Sequence, residues 1–578
     1  MQRVISDWLL LGAERQPDAL AYRYLLDGDD ETVEISYAEL LRRSAGLARL
    51  LARHGRPGSR VVLLFSAGLD SVIALYACFL ARMVAVPTPA PHLMRIEAQS
   101  KRLVGVVEDC DPAFVLTTSD LLAAHQSFAA VSWRLALPRW IAVDDCDLTA
   151  DTPLGRPDLD DLAILQYTSG TTSSPRGVML PHGAIMANQL VIGEVTGPTN
   201  QQHFLSWLPF YHDMGLSFYL QPVFRGDSCT LMSPAHFLQR PLRWLKAISR
   251  HGATGTAVPN FALDRVADQL AGASAPSFDL SSMRMVVVGA EPVRARTLDR
   301  FCAATAGMGF RREALFPCYG MAETTVMFST GPVGAPTVHH YDLATLTPDK
   351  DVRAARPDER GATSLVGNGC PARGHQAIVV SSAGLVVEEG HVGEIWLKGP
   401  SLGLGYWNRP EASAASFGAS TVDGRAEDCL RTGDLGFLRD GELFICGRAK
   451  DMLIVLGRNL YVADIAEQVR QASAHVGEGV VAFEDETGAA IVILAEARHR
   501  HLDDGGAARD AIREQVARSF EVGVSDVVLL TPLGLPRTSS GKIQREQARQ
   551  SWLAGTLPAL GARKRKQVSE TLEVADGQ

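Results

Sequence analysis

The chain contains 578 residues, carries a formal net charge of -9 and is 46% hydrophobic. A chain of this length exceeds what one hydrophobic core usually supports, so we expect at least two domains. The acidic balance and the even spread of charges argue against a nucleic-acid surface or an anionic membrane surface as the functional site. Chemistry on a small metabolite fits the composition better.

The cysteines and the N-terminus bear on the cellular compartment. None of the nine cysteines forms a C-x-x-C pair, which argues against zinc sites and a disulfide framework. The N-terminus lacks a long apolar run and a small-residue cleavage site, and the most apolar long stretch, 61–91, is interrupted by polar residues. We therefore expect a cytoplasmic protein with no signal peptide and no stable membrane insertion.

The first part of the chain alternates between helices and strands. Ser36 and Glu39 form a capping-box pattern, which predicts the start of a helix. Apolar runs and helical periodicity then predict a βαβ unit, with a strand at 61–65, a helix at 70–81 and a strand at 84–87. The cycle repeats with a helix near 97–110, a strand at 113–117, a helix at 119–128 and a strand at 140–143. This alternation predicts an α/β fold with a parallel sheet.

The stretch 165–180, LQYTSGTTSSPRGVML, places hydroxyls, glycines, a proline and an arginine between two strand-like runs. Such a loop can wrap a polyphosphate with its backbone N–H groups and side chains. It is not a Walker loop, because the fifth residue after Gly170 is Pro175 rather than glycine. A solvated turn rich in serine and threonine is the alternative interpretation.

Three further stretches carry polar side chains at the ends of predicted elements. His212 and Asp213 in LPFYHDMGL lie at the start of a helix. The GAEP turn, 289–292, follows a predicted strand at the end where open α/β sheets bind ligands. In FPCYGMAETT, Tyr319 could stack on a base and Glu323 suits Mg²⁺ beside phosphates. Two of these stretches also have an ordinary structural explanation: a satisfied pair for His212 and Asp213, and a glutamate favoured by a helix start for Glu323.

The pattern changes in the second half of the chain. Residues 331–361 contain four prolines and little periodicity, which predicts an inserted, irregular surface segment. We expect Asp434 in LRTGDLG to lie in a tight turn, where its carboxylate could accept both hydroxyls of a ribose or only cap its own backbone.

A compact α+β module of about a hundred residues follows, with predicted helices and strands at 464–474, 480–484, 490–497, 507–520 and 526–530. It ends in PRTSSGKIQR, where Lys542 follows a flexible turn. A lysine on such a turn is ordinarily a solvated charge. We expect the tail from Gly555 to be disordered.

The order of these motifs is more specific than any one of them. YTSGTT, HDMG, YGMAE, RTGD, GRAKD and SSGK follow one another, so that the sequence resembles the adenylate-forming superfamily from about residue 10 to 550. LPFYHDMGL, GAEPV, YGMAETT and GATSLVGNGCP look most like the fatty-acyl-AMP ligases of that superfamily. The resemblance implies an α/β fold, with a large N-terminal adenylate-forming domain of mixed sheets and helices and a small mobile α+β C-terminal domain. The implied boundaries are 1–447, a hinge at 448–451 with Lys450, the mobile domain at 452–555 and a flexible tail at 556–578.

The resemblance also implies ATP and Mg²⁺ as cofactors and a set of site residues. The phosphate loop would hold the phosphates, the GAEP turn and Tyr319 would hold adenine, and Asp434 would bind the ribose, with Arg448 touching ribose or phosphate. The implied ATP-binding residues are Thr168, Ser169, Gly170, Thr171, Thr172, Arg176, Gly177, Gly289, Ala290, Glu291, Tyr319, Gly320, Met321, Ala322, Asp434 and Arg448. The implied catalytic residues are Lys542, Glu323 and His212, with Glu323 also binding Mg²⁺ and Lys542 bridging the acyl carboxylate and the α-phosphate. The loop reads Ser-Ser-Pro-Arg-Gly where the superfamily usually has Gly-x-Pro-Lys-Gly.

The implied reaction is the ATP-dependent activation of a fatty acid to acyl-AMP with release of pyrophosphate, which places the enzyme among the acid–thiol ligases. An insertion at about 339–361 matches one that disfavours free coenzyme A in fatty-acyl-AMP ligases. We therefore expect the acyl group to pass to the phosphopantetheine thiol of a separate acyl carrier protein. One alternative is a medium- or long-chain acyl-CoA synthetase, in which the insertion is only a surface loop. The other is a non-catalytic adenylate-binding scaffold, against which the joint presence of Glu323, Asp434 and Lys542 argues.

Overall fold

The computed structural model of the chain describes residues 3–91, 96, 100–146, 153–168, 175–197, 202–272, 278–331, 334–456, 458–499, 505–537 and 543–560. The chain forms two compact units, Met1–Lys450 and Asp451–Gln578. The division falls directly after Lys450, the residue that the sequence analysis assigns to the hinge. Movement about that residue remains a prediction.

In its described residues, the first unit forms three main sheets and two small strand pairs. Its strands are β1 (Leu20–Leu25), β2 (Thr32–Ser36), β3 (Arg60–Phe65), β4 (Val84–Pro89), β5 (Phe114–Thr117), β6 (Arg139–Ala142), β7 (Leu162–Thr168), β8 (Arg176–Pro181), β9 (His203–Ser206), β10 (Ser228–Met232), β11 (Gly255–Pro259), β12 (Met285–Gly289), β13 (Leu315–Pro317), β14 (Ser329–Thr330), β15 (Val338–Asp342), β16 (Ala362–Val366), β17 (Cys370–Pro371), β18 (Gln376–Val380), β19 (Gly393–Lys398), β20 (Leu430–Arg439) and β21 (Glu442–Arg448).

The helices of the first unit pack against these sheets. They span Ile5–Arg15, Tyr37–His54, Leu69–Leu80, Lys101–Cys110, Ser119–Ala123, His125–Val131, His182–Val195, Asp213–Arg225, Pro234–Gln239, Leu242–His251, Asn260–Leu270, Ala295–Thr305 and Pro410–Ser416. The predicted cap is confirmed, because the Glu39 N–H donates to the Ser36 hydroxyl at 3.3 Å. The single helix predicted at 119–128 is instead two short helices.

The first large sheet has the strand order β6-β5-β3-β4-β7-β8. β3 pairs in parallel with both β4 and β5, so the predicted βαβ unit and parallel sheet are confirmed. β8 alone runs antiparallel, as the second arm of a hairpin with β7. The sheet therefore presents the ends of β7 and β8, and the loop that joins them, at one edge.

The second large sheet has the order β13-β12-β11-β9-β10-β1-β2. Its central strands are parallel, and β12 and β13 end side by side, with Val288 opposite Pro317. One hydrophobic core takes residues from both large sheets and from the helices Leu69–Leu80 and Asp213–Arg225. Tyr22 and Tyr76 tie this core together, because each hydroxyl donates a 2.8 Å hydrogen bond to the Tyr219 carbonyl. The two sheets therefore hold their loops in a fixed relation.

The third sheet is antiparallel, in the order β18-β19-β20-β21. One strand of the predicted irregular segment 331–361, β15, packs on it, whereas 343–361 form no strand and are mostly exposed, as predicted. β15 pairs antiparallel with β16, and the fully buried Tyr341 lies edge-on to Phe437 of β20 and Phe444 of β21 at 5.2 and 5.8 Å. A single aromatic side chain thus anchors the start of a segment that is otherwise irregular.

The second unit is the predicted α+β module. Its strands are β22 (Met452–Val455), β23 (Arg458–Tyr461), β24 (Val476–Glu484), β25 (Ala490–Ala497) and β26 (Gly523–Leu530), and its helices are Val462–Ala472, Gly505–Phe520 and Arg545–Leu553. Residues 556–560, assigned from sequence to the flexible tail, instead follow the edge of β26. The Leu560 N–H donates to the Leu529 carbonyl at 2.7 Å. Among the described residues, no helix is long and apolar enough to cross a membrane.

Candidate functional site

The β7–β8 hairpin positions both ends of the predicted phosphate loop. Thr168 and Arg176 lie opposite each other as the last pair before the connecting loop. Gly177 is required beside them, since a Cβ there would lie 2.9 Å from the Tyr167 ring. Of the predicted loop residues, Ser169, Gly170, Thr171 and Thr172 lie outside the described part of the chain.

The helix Lys101–Cys110 flanks both ends of this loop. Arg102 donates to the Tyr167 carbonyl at 3.1 Å, directly before Thr168. At the other end, Gly105 lies against Pro175, where a Cβ would meet the proline ring at 3.3 Å. Burial lowers the pKa of the Arg102 guanidinium. Sequence analysis assigned this helix no role at the site, because nothing in its pattern distinguishes it from a packing helix.

The segment 403–407 is hydrogen-bonded along β8. The Leu404 N–H donates to the Met179 carbonyl and the Met179 N–H donates to the Gly405 carbonyl, both at 2.9 Å. The Trp407 N–H donates to the Gly177 carbonyl at 2.8 Å. This pairing places the ring of Tyr406 under Arg176, whose guanidinium carbon lies 5.6 Å from the ring centre.

Glu323 lies in the turn Ala322–Thr324 and is buried. Its carboxylate Oε1 accepts a 2.8 Å hydrogen bond from the Tyr406 hydroxyl, and its carbonyl accepts from the Gly403 N–H at 2.8 Å. Burial raises the pKa of the Glu323 carboxyl, against the opposing influence of the Tyr406 hydrogen bond and the Arg448 charge. The segment 403–407 therefore joins the phosphate hairpin to the predicted metal ligand.

The backbone that follows Glu323 is strained and tightly held. Thr325 has φ +72 and ψ -61, and the Val326 N–H donates to the Thr324 carbonyl across it at 3.0 Å. A β-branched residue adopts this three-residue turn only where its surroundings enforce it. The Thr325 hydroxyl donates to the Ser401 carbonyl at 2.8 Å. Asn188, fully buried on the helix His182–Val195, donates to the Thr324 and Met327 carbonyls at 3.1 and 2.7 Å.

The residues before Glu323 are equally constrained. A Cβ on Gly320 would lie 1.7 Å from the Val326 carbonyl oxygen, so only glycine fits there. The Met321 N–H donates to the Thr324 hydroxyl at 3.2 Å. Ala322 is buried in the main core. The predicted ATP-binding residues Gly320, Met321 and Ala322 are thus part of one compact turn with Glu323.

Asp434 lies within β20 and not in the predicted tight turn. The strand places it opposite Arg448 of β21. Arg448 Nε donates to Asp434 Oδ1 at 2.8 Å, and the Tyr319 hydroxyl donates to Oδ2 at 2.6 Å. The Asp434 charge raises the pKa of the Arg448 guanidinium, and the nearby Glu323 carboxylate acts in the same direction.

The GAEP turn ends β12 beside Tyr319. A Cβ on Gly289 would lie 3.3 Å from the Cys318 carbonyl, and Ala290 takes a left-handed conformation with φ +63. The carboxylate of Glu291 accepts a 2.7 Å hydrogen bond from the Phe261 N–H, at the start of the helix Asn260–Leu270. The Glu291 side chain is therefore engaged in capping that helix, and its contact with adenine remains a prediction.

His212 immediately precedes the helix Asp213–Arg225. Its ring lies 5.2 Å from that of Tyr211, and the Tyr211 carbonyl accepts from Gln166 Nε2 at 2.7 Å. Gln166 belongs to β7, so this bond ties the His212 loop to the strand that leads into the phosphate loop. The negative charge of Asp213 contributes to the raised pKa of the Glu323 carboxyl.

Lys542 lies outside the described residues. The residues that flank its segment, Arg537 and Ile543, form an antiparallel bridge. Arg537 also donates to the buried Glu496 carboxylate at 2.6 Å. The segment that carries Lys542 thus starts and ends at anchored positions of the second unit.

The comparison with known families decides the identity of this arrangement. The family described as AMP-binding enzyme matches residues 11–407. The chain belongs to the AMP-binding enzyme family.

Individual relatives agree with this assignment. A medium-chain-fatty-acid–acyl-carrier-protein ligase, JamA of Moorena producens, is 35% identical across 97% of this chain and 96% of its own. The long-chain-fatty-acid–AMP ligase FadD32 of Mycolicibacterium smegmatis is 34% identical across 95% of this chain and 94% of its own. A solved fatty acyl-adenylate ligase from L. pneumophila, in complex with acyl adenylate and pyrophosphate, has a TM-score of 0.75 at 31% identity, covering 96% of this chain and 97% of that one. The predicted resemblance, fold class and ligase class are confirmed for this AMP-binding enzyme.

Proposed function

We propose that this AMP-binding enzyme activates a fatty acid with ATP and passes the acyl group to the phosphopantetheine thiol of a separate acyl carrier protein. The observation that carries the proposal is that each predicted acidic site residue has a partner among the other residues of the site. Arg448 donates to Asp434 at 2.8 Å, and the hydroxyl of Tyr406, whose ring lies under Arg176, donates to Glu323 at 2.8 Å. The names of the relatives above, a carrier-protein ligase and an AMP ligase, supply the substrate class.

In the first step, an oxygen of the fatty carboxylate attacks the α-phosphorus of ATP, and the bond from that phosphorus to the β-phosphate oxygen breaks. Acyl-AMP forms and pyrophosphate leaves. The reaction needs no protein nucleophile, so positioning and charge neutralisation carry it. In this assignment Arg176 and the loop from Thr168 bind the β- and γ-phosphates, Asp434 holds the ribose hydroxyls, and Lys542 bridges the attacking carboxylate and the α-phosphate.

The donor set near the phosphates fits Mg²⁺. Within the described part of the chain, no group of three or more His, Cys, Asp or Glu side chains could hold a metal ion. Mg²⁺ is commonly held by one or two carboxylates together with substrate phosphates and water, and the buried Glu323 provides such a carboxylate. Bound there, Mg²⁺ would neutralise phosphate charge.

In the second step, the carrier thiol attacks the acyl carbonyl carbon, the bond to AMP breaks, and a thioester and AMP result. The insertion 339–361 packs on β20 and β21, the strands that carry Asp434 and Arg448. We assign to it the exclusion of free coenzyme A as an acceptor.

The role of Lys542 in the first step has its own test. Lys542→Ala should nearly abolish acyl-AMP formation while ATP binding remains.

The test is a radiolabelled-ATP assay with fatty acids of medium and long chain length, run without acceptor, with coenzyme A and with a phosphopantetheinylated carrier protein. Acyl-AMP that accumulates and is consumed only by the carrier supports the proposal. Efficient turnover with coenzyme A would make the protein an acyl-CoA synthetase. No adenylate from any acid would favour a non-catalytic adenylate-binding scaffold.

A further inference from the structure

Tyr406 contacts two of the predicted site residues, Arg176 of the phosphate loop and the predicted metal ligand Glu323. Its hydroxyl donates to Glu323 Oε1 at 2.8 Å. Its ring lies under the Arg176 guanidinium, with 5.6 Å between the guanidinium carbon and the ring centre. Tyr406 is 7% exposed, so both contacts lie largely out of water.

The backbone around Tyr406 is fixed from two sides. The neighbouring Leu404 and Trp407 donate to carbonyls of β8, and the Gly403 N–H donates to the Glu323 carbonyl. The Tyr406 N–H itself donates to the Ser413 hydroxyl at 2.8 Å. The ring therefore cannot follow the phosphate loop without also moving the turn that carries Glu323.

The two contacts have different physical origins. A hydroxyl that donates to a buried carboxylate fixes the direction of the remaining oxygen lone pairs. An aromatic face attracts a guanidinium through its quadrupole and limits where that cation can lie. An arginine that binds the phosphates and a carboxylate that would hold Mg²⁺ must be correctly spaced, because Mg²⁺ is commonly bound by carboxylates together with substrate phosphates.

We propose that Tyr406 is a positioning residue that holds Arg176 and Glu323 at the spacing required by magnesium-bound ATP. This inference rests on the proposed function for the identity of the nucleotide. It goes beyond that function by assigning a role to a side chain outside the motifs.

Two substitutions separate the two contacts. Tyr406→Phe removes the hydroxyl bonded to Glu323 and keeps the ring under Arg176, whereas Tyr406→Leu removes both. Tyr22→Phe is the matched control, because Tyr22 is fully buried and its hydroxyl also makes a 2.8 Å hydrogen bond, to the Tyr219 carbonyl in the main core. The three variants are compared with the wild type for ATP affinity by calorimetry, with and without Mg²⁺, and for the Mg²⁺ dependence of acyl-AMP formation.

For Tyr406→Phe, we expect ATP affinity without Mg²⁺ to stay within about twofold of wild type. The enhancement of that affinity by Mg²⁺ should fall about tenfold, as for loss of one hydrogen bond to a charged group. Tyr406→Leu should in addition weaken ATP binding without Mg²⁺ about threefold, through loss of the ring–guanidinium contact. Tyr22→Phe should change neither quantity.

A merely structural role for Tyr406, which also packs edge-on to Phe417 at 5.4 Å, predicts lower stability with unchanged Mg²⁺ dependence. That result for Tyr406→Phe would overturn the inference. The calorimetric readout requires no turnover. If the wild type bound magnesium-ATP but activated no fatty acid, the proposed function would fail and the role of Tyr406 would still be decided.

Discussion

The Tyr319 hydroxyl and the Asp434 carboxylate form a 2.6 Å hydrogen bond between the end of the second large sheet and the third sheet. Tyr319 follows β13, whereas Asp434 belongs to β20. The other carboxylate oxygen of Asp434 is bound by Arg448. The carboxylate is thus oriented by two donors before any nucleotide arrives, which lowers the ordering required on binding.

Asp434→Asn should raise KM for ATP about tenfold or more, with a smaller change in kcat. The amide keeps the shape but removes the charge that strengthens hydrogen bonds to ribose hydroxyls. Tyr319→Phe keeps the carboxylate and should have a smaller effect of the same direction. The measurement is ATP–pyrophosphate exchange over a range of ATP concentrations.

Arg431→Gln is the control for Asp434, because Arg431 lies on the same strand and forms an exposed ion pair with Glu394 at 2.8 Å. It should leave KM for ATP unchanged. An equal KM for ATP in Asp434→Asn and the wild type would show that Asp434 does not bind the nucleotide.

The fold class could be predicted from the sequence, because local periodicity and turn chemistry agree across the βαβ unit 60–89 and the order of the motifs implies the same fold. The order of the motifs could not predict Tyr406, Asn188 or the helix Lys101–Cys110 at the site. Each reaches the site through long-range packing, and the contact of Asn188 with Thr324 spans 136 residues. Asp434 was placed in a turn because Gly433 dominates the local pattern, although pairing with β19 and β21 extends the strand through it. The roles of individual side chains depend on such pairings and are not local properties of the sequence.

Asn188→Leu should lower the free energy of unfolding by about 2 kcal/mol or more. It removes the donor to two buried carbonyls beside the strained turn at Thr325, and unsatisfied buried acceptors are costly. The measurement is urea unfolding followed by tryptophan fluorescence, together with the rate of acyl-AMP formation, which should also fall because Glu323 lies in the same turn.

The adjacent Gln189 offers a contrasting substitution. Gln189 is fully buried, and in the described part of the chain neither of its amide atoms has a hydrogen-bond partner. Gln189→Leu should therefore be neutral or stabilising, since it removes a desolvated amide without breaking a bond. Equal destabilisation by the two leucine variants would show that packing on this helix, and not the Asn188 hydrogen bonds, determines the result.

Gly320→Ala should abolish acyl-AMP formation and lower the free energy of unfolding by about 2 kcal/mol or more. The added methyl would lie 1.7 Å from the Val326 carbonyl, a backbone atom that the strained turn prevents from moving. Gly307→Ala is the control, because an added Cβ at exposed Gly307 meets nothing within 4 Å. The rate of acyl-AMP formation and the urea midpoint are measured for both variants. A Gly320→Ala variant with the activity and stability of the wild type would contradict the described turn.

His182 and His203 should make the first unit less stable as the pH falls from about 6.5 toward 4. Burial lowers the pKa of each imidazole from 6.5 to about 4. Arg23 and His251 lower the pKa of His203 further, whereas Asp161 and Asp7 partly oppose the effect at His182. Between these pH values the unfolded chain binds protons that the folded chain does not. The stability from both groups is therefore complete above pH 6.5 and is lost as the pH falls through the folded pKa.

The test is the free energy of unfolding in urea at pH 7.5 and at pH 5, followed by tryptophan fluorescence. The pH dependence arising from fully buried His182 amounts to roughly 3 kcal/mol at most. His182→Gln should flatten the difference between the two pH values, because glutamine takes up no proton in either state. His499→Gln, at an exposed position of the second unit, should leave the difference unchanged. If His182→Gln and His203→Gln together leave the difference at its wild-type value, other groups must bind the protons that destabilise the fold.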